Sequence, residues 1–450
     1  MKFYDREREL KLLENLKGNF RLAIVGRRRI GKTRLIEEFY KERLTLFISA
    51  EKSEKEIISD WSKEYAAIPK VDTFRDLFEY LFSQKKETIF LDEIQNLLKV
   101  NKSFIFDLQR LIDKHSPRLI VSGSLIRAMK GLTESYRSPL FGRFDMTMKL
   151  RELSFRTVAE ICRDLGIGFE NAFKLYAVFG GVPKYYELLE KLRRFELEPF
   201  ILEMFVHYPR PLYEEVRTML REEFGKENRM FFSILSAVSQ GNTRLSEIGG
   251  FVGTGQTKLT KYLHLLRHDF EILSRELPLI GGKRGIYRIN SNLMSFWFAN
   301  IWRYQELLEK GEEERLADIL RQNLNSWLGR SFESIVMGLV KSEGILPFVA
   351  TKIGRQWGSF LGKEGKEAYE IDILALNEKT NDILFGECKW EDNVDAGKIL
   401  SALRGKAGLV EWRNRDRKES YAIFAKSFRE RVKGKNVYCC SLKDMEAALQ

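Results

Sequence analysis

Apolar residues along this chain recur with two different periods, and the alternation between them organises its first third. Leu22–Val25, Thr45–Ser49, Thr88–Leu91, Arg118–Ser122 and Met146–Leu150 are short strand-like runs. Helical or charged stretches separate them. The first, with Leu10, Leu12, Leu13 and Leu16, sits behind an Asp5 placed to cap it. Such alternation predicts a parallel sheet covered by helices. From Glu152 to Arg221 only helical spacing is found, through Val158, Ile161, Leu165, Phe173, Leu175 and Tyr176, and this stretch is predicted to be an all-helical lid. Helical stretches at Phe231–Val238, Leu245–Ile248 and Thr257–Leu266 precede short strands at Ile272–Leu277 and Ile286–Ile289, the pattern of a winged helix-turn-helix. Leu293–Trp302 is aromatic at helical spacing and is assigned to the core rather than to a platform for bases. The last part, from residue 323, reads as mixed α/β. The expected fold class is therefore α/β, in four modules: 1–152, 153–222, 223–305 and 306–450.

The chemistry begins at the end of the first run. Gly26-Arg27-Arg28-Arg29-Ile30-Gly31-Lys32-Thr33 matches the phosphate-binding pattern G-x-x-x-x-G-K-[ST]. Glycines let backbone N–H groups turn toward phosphate oxygens, Lys32 carries charge to the β- and γ-phosphates, and the Thr33 hydroxyl can ligate Mg²⁺. A helix from Arg34 to about Leu44 would aim its positive end at the same anion. The run Thr88–Leu91 ends in Asp92 and Glu93. Asp92 is expected to hold Mg²⁺ through water and Glu93 to polarise the attacking water. ATP and Mg²⁺ are the expected cofactors.

Charge widens the picture. Lys and Arg number 76 against 64 Asp and Glu, a net +12 that favours a polyanionic partner, with DNA expected. The four cysteines, Cys162, Cys388, Cys439 and Cys440, lack C-x-x-C spacing, which argues against a disulfide framework or zinc site. No apolar run approaches the roughly 18 residues of a membrane span, so a cytoplasmic protein without a membrane partner is expected.

Taken together, FYDREREL, GRRRIGKT, LDEIQ, VSGS and GGVP resemble the archaeal ATPase family, a relative of AAA+ and STAND ATPases, over roughly residues 1 to 220. A strand between the phosphate loop and the DE strand, with Glu93 after Asp92, also resembles the additional-strand, catalytic-glutamate division of P-loop ATPases. The resemblance implies that Phe3, Arg6 and Glu7 lie near the base. It also implies that Pro183, in Gly180-Gly181-Val182-Pro183, joins Gly26 to Arg34 around the nucleotide. It further implies a polar sensor at Ser122 or Ser124, and makes Arg143 a candidate γ-phosphate sensor or a finger supplied in trans by a homo-oligomer. The helix Gly255–Tyr262 and the wing residues Lys283 and Arg284 suit DNA, although winged helices also serve protein or nucleotide contacts.

A second site is expected near the C-terminus. Glu370–Leu376 and Ile383–Trp390 read as hairpin-like strands carrying Asp372 and Glu387, with Lys389 on the same face as Glu387. Two carboxylates beside a lysine can bind Mg²⁺ while the lysine orients water toward a phosphodiester. Glu333, on the preceding helix, could add a metal or base group. With Arg355–Gly358 expected before the first strand, the succession resembles a PD-(D/E)XK nuclease; a salt-bridged hairpin in a STAND-like switch is the other reading. Lys398, Arg404 and Lys406 are expected on a solvated or DNA-facing helix.

Overall fold

Five strands, β1 (Arg21–Val25), β2 (Arg43–Phe47), β3 (Thr88–Asp92), β4 (Leu119–Gly123) and β5 (Met146–Lys149), form one parallel sheet in the order β2-β3-β4-β1-β5. The computed structural model describes residues 1–84, 87–225, 228–362 and 365–449; residue 450 of the expected last module lies outside them. Because all five strands run the same way, their carboxyl ends share one edge, where open α/β sheets bind ligands. β4 intervenes between the phosphate-loop strand β1 and the DE strand β3.

Alternation along each strand divides its residues between two cores. Ala23, Val25, Ile89, Leu91, Leu119 and Val121 face a self-contained core under the helices Glu54–Glu64, Phe74–Gln84 and Phe104–His115. Leu22, Ile24, Phe90, Ile120 and Met148 face a second core that continues through the following helices to one face of the C-terminal sheet, whose other face has a core of its own. Helices Phe155–Asp164, Phe169–Phe179, Pro183–Leu192 and Pro211–Phe224 follow. Next come three helices, Asn228–Ser239, Leu245–Val252 and Gln256–His264, and an antiparallel pair, β6 (Leu273–Glu276) and β7 (Ile286–Ile289). Trp297 and Phe298 are fully buried, as expected of core.

A 30-residue helix, Glu313–Ser342, leads into a mixed sheet. Its strands are β8 (Lys352–Gly362), β9 (Gly365–Asn377), β10 (Asp382–Lys389), β12 (Lys418–Ala425) and β14 (Val437–Ser441), in the order β14-β12-β10-β9-β8. β8, β9 and β10 pair antiparallel, whereas β10, β12 and β14 pair parallel. A short parallel pair, β11 (Val394–Asp395) and β13 (Phe428–Glu430), flanks the helix Ala396–Gly408. The helix Phe169–Phe179 packs against both the long helix and the end of β10: the Phe173 ring stacks on Trp390 at 5.1 Å, and Trp327 Nε1 donates to the Ala177 carbonyl at 3.1 Å.

Four local expectations are corrected. Asp5 does not cap the first helix, Glu7–Glu14, because Arg6 occupies the cap in a left-handed conformation (φ 82°) without a side-chain bond. Asp5 instead accepts from the Arg6 N–H at 2.7 Å and the Thr157 hydroxyl at 3.0 Å, tying the N-terminus to the helix Phe155–Asp164. The helix after the phosphate loop ends at Phe39, not near Leu44, because Tyr40 turns extended and packs against Phe39 and Phe20. That early stop lets β2 start at Arg43, two residues before the expected Thr45, and pair along all of β3. Finally, Arg355–Gly358 lies inside β8 rather than before the first strand.

Gly181 explains itself sterically: a Cβ there would sit 1.9 Å from the Leu153 carbonyl oxygen. Backbone cannot yield as a flexible side chain can, so Gly181→Ala should destabilise by about 1–3 kcal/mol, seen as a lower thermal midpoint for the variant. An unchanged midpoint would mean that the GGVP turn tolerates displacement.

Candidate functional site

The chain leaves β1 at Val25, loops through Gly26–Ile30, and enters the helix Lys32–Phe39 at Gly31, whose φ of +94° favours glycine. Lys32 is thereby turned back over its own loop, its Nζ donating to the Gly26 carbonyl at 3.0 Å and standing 3.9 Å from Glu93. Burial pulls its ammonium pKa down, against the attraction of Glu93 and Asp92. Thr33 Oγ1 donates to Asp92 Oδ2 at 2.8 Å, and Ser122 Oγ donates to the other Asp92 oxygen. Glu93 accepts from Ser124 Oγ at 2.7 Å and from the Gln95 amide. Thus both serines of the VSGS turn touch the acid pair, Ser122 on Asp92 and Ser124 on Glu93. Glu93 itself is left-handed (φ 60°), a backbone state concentrated at functional sites.

The loop arginines diverge. Arg27 turns away from the cradle to donate to the Phe270 and Glu271 carbonyls at 3.0 and 3.2 Å. Arg28 is exposed, and Arg29 pairs with Glu215 at 2.5 Å. Arg34 pairs with Glu187 at 2.7 Å and, with Phe3, Arg6, Ile30, Gly31 and Pro183, lines a narrow cleft beside the loop. Glu7 is exposed and does not line it. Arg143 is displaced altogether. It precedes the amino end of β5 and pairs with Asp113 at 3.1 Å, at the sheet edge opposite the phosphate loop, so it cannot sense a nucleotide held by its own chain.

The C-terminal residues come together where the pairing of β9 with β10 ends, in the middle of β9 and near the end of β10. Asp372 and Glu387 lie one step beyond the paired Ile373 and Gly386, and Asp372 Oδ2 accepts from the Cys388 N–H at 2.8 Å. Glu387 is held by Lys389 at 2.9 Å and by Lys406 at 2.8 Å. Lys406 is therefore not on a free helix face, as its charge pattern suggested. Glu333 accepts from Arg355 Nη1 at 2.5 Å. Neither Lys406 nor Arg355 was identifiable from the strands alone, because each reaches its acid from another element. Burial first, then the charges of Glu333 and Glu387, push the Asp372 carboxyl up to about 7.

Among the described residues no three His, Cys, Asp or Glu groups lie close enough to cage a metal. Mg²⁺ needs no such cage: it binds through one or two carboxylates, substrate phosphates and water. The hard oxygens of Thr33 and Asp92 fit that requirement, as do the buried carboxylates of Asp372, which has no cationic partner among the described residues, and Glu387.

Residues 19–159 match a family described as an AAA domain, and residues 297–399 one described as archaeal and bacterial proteins of unknown function. The chain is 31% identical over 469 residues to the uncharacterized protein MJECL04 of Methanocaldococcus jannaschii, covering 99% of each. The chain belongs to the archaeal P-loop ATPase family. Its fold is similar to the Walker-type ATPase of Pyrococcus abyssi, at TM-score 0.52 and 18% identity over 66% of this chain and 96% of that one. The ORC2 protein of Aeropyrum pernix aligns over 68% of this chain and 94% of its own, with TM-score 0.41 and 14% identity. The archaeal ATPase is thus an enzyme of the AAA type, with a C-terminal region whose family match carries no activity. No helix among its described residues is long and apolar enough to cross a membrane.

The Asp372 environment gives this ATPase a pH signature. A free aspartate ionises near pH 4, so between about pH 4 and 7 the folded state keeps a proton that the unfolded state has lost. Stability contributed by this residue therefore falls as pH rises through that window. Asp372→Asn should raise the thermal midpoint at pH 8 but leave it unchanged at about pH 3, below both ionisations. Equal shifts at both pH values would contradict the raised carboxyl.

Proposed function

We propose that this ATPase binds Mg²⁺-ATP at residues 26–34 and uses it on DNA, with a magnesium-dependent nuclease site in its C-terminal module. The observation that carries the reading is the convergence of the buried Asp372 and Glu387 with the half-buried Lys389 and with Glu333 from a separate helix. Perturbed carboxyls beside a lysine mark functional sites.

On the nucleotide side, backbone N–H groups of the loop and Lys32 hold the phosphates, Thr33 and Asp92 hold Mg²⁺, and Glu93 polarises the attacking water. Ser124 and Gln95 keep Glu93 in place until a γ-phosphate and water enter. Pro183 and the Phe3–Arg6 segment line the base. On the nucleic-acid side, three helices and the β6–β7 pair act as a winged helix-turn-helix. Gln256, Thr257, Lys258, Thr260 and Lys261 form its exposed helix face over a buried Leu259 and Leu263, and Lys283 and Arg284 are exposed on the wing. Net charge of +12 supports a phosphate-rich partner. In the C-terminal site Asp372 and Glu387 hold the metal and Lys389 orients the water, while Mg²⁺ supplies charge stabilisation at the phosphodiester. The modules would divide near residues 152, 222 and 305, in a cytoplasmic protein. Arg143 could reach only the nucleotide of a neighbouring copy, which ties any finger role to a homo-oligomer.

One observation favours a second reading, a STAND-like switch with a non-cleaving domain: each acid of the cluster except Asp372 already has a cationic partner. The two readings separate on incubation with duplex, single-stranded and branched DNA, with Mg²⁺ or Mn²⁺, with and without ATP. Cleavage lost in Asp372→Ala is the expected result, and its further loss in Lys32→Ala would place the nuclease under ATP control. No cleavage by the wild type under any condition would decide for the switch.

A further inference from the structure

The β6–β7 hairpin is bound to the C-terminal sheet along its connecting segment. The Leu279 N–H donates to the Arg355 carbonyl at 3.0 Å. The Gln356 side chain accepts from the Ile280 N–H at 2.9 Å and donates to the Ile280 carbonyl at 3.1 Å. Leu279 and Ile280 pack on the core between this sheet and the helix Ala396–Gly408. β8 is an edge strand, and its register with β9 slips between Gly354 and Gln356. Exposed edges are commonly covered, and bulges re-aim a side chain, often beside active sites. Here the hairpin covers the edge at the bulge, and the re-aimed residue is Arg355.

Arg355 joins the two modules. One end of its guanidinium holds Glu333 at 2.5 Å and Ser334 Oγ at 3.2 Å. Its Nε lies 3.9 Å from Glu276 Oε2 on β6, the same oxygen that accepts from Arg288 Nε on β7 at 2.9 Å. Two guanidiniums, one of them only 5% exposed, thus share a single hairpin carboxylate. Without that carboxylate they would repel, and Arg355 would no longer be fixed opposite Glu333.

We infer that the hairpin is a fixed part of the C-terminal site, and that Glu276, acting through Arg355, is a positioning residue for Glu333. The positioning role rests on the nuclease reading above; the docking of the hairpin does not. A phosphodiester strand gripped by Lys283 and Arg284 at the exposed tip is then held in a constant relation to Asp372 and Glu387.

A cross-link tests the docking without any activity. A Cβ at Gly354 lies 3.7 Å from that of Leu279, inside the roughly 3.5–4.5 Å range of disulfides. In the full chain, Leu279→Cys with Gly354→Cys should oxidise to completion at one rate with or without duplex DNA, and the oxidised protein should bind DNA within about twofold of the reduced one. A cross-link slowed by DNA, or binding weakened more than about tenfold once it forms, would overturn the inference by showing that the hairpin lifts. For the positioning role, Glu276→Gln in the same background should leave the cross-link intact. It should lower the kcat of cleavage by about tenfold at unchanged KM, with Glu276→Asp recovering part of the loss. It should also weaken the Asp372-dependent binding of Mn²⁺ by threefold or so, measured without nucleotide in a Lys32→Ala background. An unchanged kcat and Mn²⁺ affinity, or a lost cross-link, would refute positioning. Should the wild type neither cleave DNA nor bind Mn²⁺ through Asp372, the nuclease reading and the positioning role would fall together, and the cross-link alone would judge the docking.

Discussion

A lysine ammonium buried in its own loop and faced by two carboxylates is the charge arrangement on which the rest of this ATPase depends. Lys32 is only 5% exposed, and a buried charge survives only where it is paired or hydrogen-bonded. The sheet order meets that requirement. With β4 between β1 and β3, the acids at the end of β3 and the serines at the end of β4 both reach the mouth of the loop. Glu93 is held by Ser124 and Gln95 rather than by Lys32, so the lysine keeps its donors for the loop carbonyls and, in the proposed role, for phosphate.

The same sheet explains why the other modules cannot be treated as beads on a string. One of its faces is closed by local helices, whereas the other opens into a core that runs through the helices from Phe155 to His264 and the helix Glu313–Ser342. The helix Phe169–Phe179 lies across that core. At its middle Phe173 stacks on Trp390, the residue after Lys389, and its carboxyl end runs into Gly180 and Gly181 beside Leu153. Both candidate sites are therefore built on one continuous packing surface, and interiors packed this tightly transmit displacement.

Much of this was legible in the sequence where the signal is contiguous. The five strands announced themselves as apolar runs, and the phosphate loop with its DE strand as short motifs. Contacts made across elements were not legible. Ser124 meets Glu93 only because β3 and β4 are neighbours. Lys406 reaches Glu387 from a helix 19 residues on, and Arg355 reaches Glu333 only because β8 is bulged. Arg143 shows the converse: its motif looked catalytic, but the direction of β5 puts it at the far edge of the sheet. Asp5 failed as a cap for a local reason, the left-handed Arg6, which no propensity for a non-glycine residue would favour.

The most direct test of the account is ATP turnover and ATP binding measured side by side for the wild type and Glu93→Gln. If Glu93 polarises the attacking water, the variant should bind ATP within about threefold of the wild type and hydrolyse it at least ~100-fold more slowly, the size of a general-base contribution. Full turnover by Glu93→Gln would contradict the account at its centre, since the neighbouring Asp92 is engaged by Thr33 and Ser122.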